Sequence, residues 1–255
     1  MTSRPLDLAV ARVRTVFAGM TSPTETGCGR CHLPGETALL RTPDVPVPPD
    51  VLSRYAAEVA DHFDDLDASM RRLLPDLVEL LVAGGVDGAY GGLNALGRTR
   101  WGRWPAEQRE AVHGFFEAWF TQVLRTPPEE SGGGTTCHDV LQSCVTSLST
   151  LTPFLAIWAA EGYGGSADAH LLVCVERYID DLIVDEWPLG WWADHGRDEP
   201  VAELRAWVHE QAPDRLRAVG ADPALLLRVE VLGLPCDDRW PALEALDHPS
   251  GAGDG

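Results

Sequence analysis

The stretch WPAEQREAVHGFFEAWFTQV, Trp104 to Val123, decides the fold class. Its apolar residues Val112, Phe115, Phe116, Trp119, Phe120 and Val123 recur at three- and four-residue steps, which places them on one face of an α-helix. Pro105 fits the opening of that helix, where a missing N–H costs nothing. A strand would need alternation with period two, and none is present here.

The same period runs outward in both directions. Leu6, Val10, Val13 and Phe17 form the stripe of a first helix, with Ser3 as its cap ahead of Pro5. The segment from Gly19 to Pro49, rich in Gly, Pro and Thr, reads as irregular. A helix is expected from Pro49 to His62 on Leu52, Tyr55, Ala56, Val59 and Phe63. Another spans Leu66 to Ala83 on Met70, Leu73, Leu74, Leu77 and Leu81, with Pro75 expected to kink or restart it. AGGVDGAYGG, 83–92, is a turn-rich break, and TPPEESGGGTT, 126–136, is the clearest linker.

Beyond the linker, Thr136 with Asp139 has the spacing of a capping box before a helix on Leu141, Cys144, Val145 and Leu148. Thr152-Pro153 opens the next helix, and Ser166 opens a long one to about Glu186 on Leu171, Leu172, Val175, Tyr178, Ile179 and Leu182. Three shorter helices are expected at about 199–211, 222–232 and 239–246, the middle one started by Asp222-Pro223. The prediction is an all-α fold of about nine to eleven helices in an irregular stack of hairpins, a HEAT-like arrangement being one form of it. It is expected as one domain over 1–246, with a soft division at 126–135 and a disordered tail at 247–255.

The chain has 255 residues, 45% of them hydrophobic, enough for a sizeable core. Twenty Lys+Arg face 39 Asp+Glu, a net charge of -19. That surface disfavours nucleic acid and anionic membranes, which are bound through Lys and Arg. It is compatible with a basic protein partner, although simple solubility is the plainer reading of the charge. The apolar residues of the N-terminal stretch are interrupted by Asp7, Arg12 and Arg14, so no secretory signal is read there, and a cytoplasmic protein is expected.

The main candidate for chemistry is TGCGRCHLPGE, Thr26 to Glu36. Cys28-Gly29-Arg30-Cys31-His32 matches CxxCH, the c-type haem attachment pattern. That chemistry normally follows export, and no sixth ligand is marked, so haem is disfavoured. Zinc is the candidate cofactor, because a CxxC turn often supplies two of its four ligands. Cys28 and Cys31 are the candidate ligands, with His32, Cys137 and His138 as weaker ones; no cofactor is assigned outright. Two free thiols, or a redox pair lacking the usual strand-to-helix context, are the other readings.

Other clusters read as structural. Glu110 and His113 form a single ExxH beside the apolar stripe, whereas di-iron bundles use two. Glu176, Asp180, Asp181, Asp185 and Glu186 read as a solvated helix face, with Arg177 placed to pair with Asp181. Trp187, Trp191 and Trp192 surround Pro188 and suit packing or a contact surface. No serine-nucleophile motif, phosphate loop or HExxH is present, so no catalytic residue is assigned and the reading leans away from an enzyme.

Several segments together carry a resemblance: GCGRCHLPGETALL, VPPDVLSRYAAEVADHFDD, RRLLPDLVELL, GRTRWGRWPAEQREAVHGFFEAWF, LTPFLAIWAAEG and DDLIVDEWPLGWW. They resemble a widespread bacterial family, well represented in actinomycetes. Its members combine an N-terminal CxxC, an RYA-type helix, an LLP helix break, a WxxWP helix start and a Trp-rich helix end. The resemblance implies an all-helical cytoplasmic protein and brings no established activity. It also implies that His32 is incidental and that Cys137 and His138 have no ligand role. The functional expectation is a non-catalytic protein-interaction module, of which an immunity- or antitoxin-like protein is the sharper version. The alternative is a small metalloprotein or thiol enzyme using Cys28 and Cys31.

Overall fold

The computed structural model describes residues 3–58, 60–84, 94–130, 136–190 and 198–247. Val59, most of the 83–92 break, the linker residues 131–135, Trp191, Trp192 and the tail from 248 lie outside them. The described residues form twelve α-helices and no strand, so the fold is all-α. The chain divides into two compact units, with the change at Thr150/Leu151.

The first unit holds α1 (Arg4–Val16), α2 (Pro34–Arg41), α3 (Pro49–Ala57), α4 (Leu66–Val82), α5 (Asn94–Gly97), α6 (Ala106–Arg125) and α7 (Cys137–Leu148). α6 buries Val112, Phe115, Phe116, Trp119 and Phe120 as its period requires; Leu124 takes the last buried place, and Val123 is only half-buried. Each such side chain contributes roughly 1.5–3 kcal/mol on burial. α1 packs on α6 and α4, and α7 lies between α6 and α5. α7 is buried nearly all round, Cys137 and His138 included. Its capping box forms as read: Asp139 accepts from the Thr136 N–H at 2.8 Å, and the Thr136 hydroxyl accepts from the Asp139 N–H at 3.2 Å. α5 meets α7 so closely that a Cβ on Gly97 would lie 2.2 Å from the Thr146 carbonyl oxygen.

Three expectations are corrected in this unit. The irregular segment 19–49 contains a helix, α2. Its signals are Pro34 in the first turn and Glu36, whose carboxylate accepts from the Leu33 N–H at 2.9 Å. The helix expected to reach His62 ends at Ala57, and a separate 3-10 turn covers Ala60–His62. Pro75 neither ends nor restarts α4. An interior proline costs about 3 kcal/mol. Met70, Leu73, Leu74, Leu77, Val78 and Leu81 are all buried along the same helix and outweigh that cost.

The second unit holds α8 (Thr152–Ala160), α9 (Ser166–Ile183), α10 (Asp198–Ala218), α11 (Pro223–Val231) and α12 (Cys236–Asp247). α9 is central, touching α10, α11 and α12. Its acidic residues behave as a helix face and end: Asp180 is exposed and pairs with Arg228, and Asp185 accepts from Arg239 and Arg205. Arg239 also donates to the Leu182 and Ile183 carbonyls at the end of α9, which an intrahelical partner cannot reach. The helix expected at 199–211 continues through Pro213 to Ala218, because Val201, Leu204, Val208, Ala212 and Leu216 form one unbroken buried stripe. No helix among the described residues is long and apolar enough to cross a membrane.

Candidate metal centre

Glu25 organises the CxxC loop, and nothing in the sequence marks it. Its carboxylate is fully buried. One oxygen accepts from the N–H groups of Gly27 at 2.9 Å and Asp64 at 3.1 Å. The other accepts from the Asp65 N–H at 3.3 Å and the Ser69 hydroxyl at 2.9 Å. Apart from Gly27, these donors lie at the start of α4, where free N–H groups and the helix dipole favour an anion. Asp64 returns the link: its carboxylate accepts from the Thr26 N–H and hydroxyl at 2.8 and 2.6 Å. Those bonds, the hydroxyl first, hold the Asp64 carboxyl below its usual range. Two strips of chain far apart in sequence, 25–27 and 64–69, are thereby laced together.

The lacing sets Cys28 and Cys31 beside the 3-10 turn that ends at His62. Gly27 makes the approach with φ +69°, and a Cβ there would meet the Thr37 methyl at 2.6 Å. The CxxC is itself a turn, in which the N–H groups of Cys31 and His32 donate to the Cys28 carbonyl at 2.9 and 3.0 Å. One ligand atom each from Cys28, Cys31 and His62 lie within 4.8 Å of one another, and all three residues are half-buried. Among the described residues this is the one such group of three or more His, Cys, Asp or Glu.

The distances suit a small divalent cation. Zinc bonds of about 2.3 Å to sulfur and 2.0–2.1 Å to nitrogen put tetrahedral ligands roughly 3.5 Å apart. Cys31 Sγ lies 3.4 Å from His62 Nδ1. Glu58, at the end of α3, lies beside the cluster but outside the group of ligand atoms within 4.8 Å of one another: Oε1 is 2.7 Å from the same Nδ1, and Oε2 is 3.4 Å from His32 Nε2. The Cys28 thiol is pulled down by the Arg30 backbone N–H, the Cys31 thiol and the Cys31 N–H. The Cys31 thiol is pushed up, first because it donates to Cys28 and then by burial. Cys28 therefore gives up its proton first.

Only part of the sequence-derived ligand set meets here. Cys28 and Cys31 come together with His62, a residue the motif search passed over. Glu58 and His62 do carry an ExxxH spacing, but Glu58 is extended at the end of α3 and His62 closes a separate 3-10 turn, so the pair meets without a shared helix. His32 sits behind the cluster, its ring stacked on Tyr55 at 4.5 Å and 6.2 Å from Phe63. Burial pushes its imidazole below the ordinary value. Cys137 and His138 are buried on α7 and take no part in the cluster. Glu110 is exposed and paired with Arg12 at 2.9 Å, and His113 lies edge-on to Trp101 at 5.0 Å. Trp187 is half-buried. Comparison with protein-family models, curated proteins and solved structures finds no match to this chain.

Proposed function

We propose that this chain is a metal-binding helical protein, with a zinc-class cation held by Cys28, Cys31 and His62. The observation that supports this reading most is the convergence of two groups on one nitrogen. Cys31 Sγ and Glu58 Oε1 both approach His62 Nδ1. That atom carries either one proton or one lone pair. As a donor it serves the carboxylate and cannot deprotonate the thiol; as an acceptor it faces the carboxylate lone pair against lone pair. In a Cys–His–carboxylate catalytic array the nucleophile and the orienting acid use different ring nitrogens. A cation shared by the cysteine sulfurs and the imidazole removes the conflict.

The test is elemental analysis of protein purified under reducing conditions, with a thiol titration before and after chelation. About one zinc per chain is expected, with two thiols becoming reactive when it is removed. Cys28→Ser, Cys31→Ser and His62→Ala should each lower zinc content sharply. Retention of no metal at micromolar free zinc by the reduced wild type defeats the reading.

A protein-interaction role has its own support in the second unit. Trp240, 57% exposed, and Leu227, 42% exposed, line a groove with Ala224 and Leu243, edged by Asp180, Arg228 and Glu244. Exposed Trp is enriched among binding hot spots. Trp240→Ala should abolish capture of a partner from host lysate if that groove is the contact, and unchanged capture removes this reading.

A further inference from the structure

We infer that the groove between α9, α11 and α12 receives a basic amphipathic helix. This rests on the reading of that groove as a protein contact and names the kind of partner it takes. Its floor is apolar and open: Leu227 and Trp240 are exposed, with Ala224 and Leu243 beside them. The indole is already positioned, because Trp240 Nε1 donates to Glu244 Oε1 at 3.1 Å, one turn further along α12. A side chain held in place before contact loses little freedom on binding. The described residues contain no strand, so a partner has no sheet edge to extend there. A helix laying its apolar face between helices is the recognition mode this shape serves.

Charge selects the sign of that helix. Residues 151–255 hold twenty Asp and Glu against seven Arg and no Lys, so about two thirds of the chain's excess negative charge falls in this stretch. Five of those arginines, Arg205, Arg215, Arg217, Arg228 and Arg239, are already in ion pairs. Surplus carboxylates stand at the groove itself. Asp180 is countered by Arg228, but Glu244 accepts only from a neutral indole among the bonds described. Glu176, one turn before Asp180 on α9, and Asp237, one turn before Trp240 on α12, are both exposed. Arg177 lies by Asp181, on the neighbouring face of α9. A nucleic acid, or a second copy of this chain, would bring like charge against this rim. A helix with an apolar face and flanking Lys or Arg meets both the floor and the rim.

Fluorescence anisotropy on the full chain tests this with a labelled peptide of about 18 residues, Leu on one helical face and Lys on the other. Two companions control it: one with Glu in place of Lys, and one of the same Leu/Lys composition ordered without an apolar face. The Leu/Lys helix should bind much more tightly than either. Trp240→Ala should weaken it about thirtyfold, the loss expected of a binding hot spot. Glu176→Gln combined with Glu244→Gln should weaken it several-fold and flatten its salt dependence, since the amide at 244 still accepts from the indole while the charge is gone. Trp240 is 57% exposed, so melting of Trp240→Ala should match wild type. If that variant melts early, Leu227→Ala, at a site 42% exposed, takes its place. Equal binding of the two Leu/Lys peptides, or of one peptide by wild type and Trp240→Ala, overturns the assignment, because the negative surface alone would then hold the probe. Trp240-dependent binding of the Leu/Glu helix, or no binding of any probe, overturns it as well. None of these outcomes decides whether the groove is a protein contact at all, which stands or falls on capture by Trp240→Ala.

Discussion

Among the described residues each unit buries one carboxylate completely, Glu25 in the first and Asp168 in the second, and the two are stabilised by different means. Asp168, in α9, meets a cation: Arg215 Nη1 donates at 2.7 Å, and the Gly164 N–H at 2.6 Å. Arg215 is equally buried and donates its other amino group to the carbonyls of Ala159 and Glu161, at the end of α8. Its Nε–H finds no acceptor, and its face lies 4.6 Å from the Tyr163 ring centre. Among the described residues, Glu25 meets no cation through its carboxylate. Three backbone N–H groups and one hydroxyl surround it. The ion pair concentrates its strength in one partner that must itself be desolvated. The backbone cradle spreads the load over neutral donors that a helix start provides in any case. A pair of the first kind locks helices together. A cradle of the second kind shapes a loop, which is what a ligand site needs.

The largest expected effect separates these two designs. Arg215→Met leaves Asp168 buried without its cation and should cost about 3–5 kcal/mol in urea unfolding. Combining it with Asp168→Asn should recover more than half of that loss, because the desolvated charge is gone as well. A double variant no better than the single would mean that Arg215 acts mainly through the α8 carbonyls.

Glu25→Gln comes next. An amide replaces one accepting oxygen, so two donors lose an acceptor, at about 3 kcal/mol by the usual worth of hydrogen bonds to a charged group. Zinc affinity should fall with stability, since the cradle aligns residues 25–27 with the turn bearing His62. Lost stability with unchanged affinity would break the link between cradle and site.

Gly27→Ala probes the same loop more gently. Left-handed backbone costs a residue with a Cβ roughly 1–2 kcal/mol, and the Thr37 methyl adds a clash. Adding Thr37→Ser should relieve only the clash. Complete rescue by the second change would show that the clash, not the positive φ, carries the whole cost.

The smallest effect near neutral pH, where it vanishes, is the ionisation of Tyr55. Burial, first, and the nearby Glu36 and Glu25 push the Tyr55 hydroxyl up to about 12 from its ordinary 10. The folded state thus holds its proton after the unfolded chain has released it, and stability should fall as pH rises from 10 to 12. Tyr55→Phe should remove that part of the alkaline loss and keep the stack on His32. An alkaline profile unchanged by the substitution would assign the loss to other groups.

Helix identity was legible wherever an apolar stripe was long and capped. The α6, α7 and α9 faces follow directly from periodicity, and Thr136–Asp139 gives the α7 start. Prolines were misread because their cost is local while a stripe accumulates along the helix. Pro75 and Pro213 sit inside stripes that outweigh them. α2 was hidden by the Gly, Pro and Thr around it. Of the candidate site, the CxxC was visible, since two of its three residues lie in one turn. His62, 31 positions beyond Cys31, was not. Its place depends on Glu25 reaching across 39 to 44 positions to the start of α4, and no local pattern encodes that.

That reach has a thermodynamic consequence. Small zinc modules are commonly unfolded until the ion arrives, because binding must supply the free energy of gathering distant ligands. In this chain Glu25 and Asp64 have already closed the loop that separates the cysteines from His62, and the α2 and α3 segments within it are seated on α4. The conformational entropy of loop closure is met by the fold. Ion uptake should then be fast and accompanied by little change in helix content or heat capacity, the behaviour of a preorganised receptor and not of a folding switch.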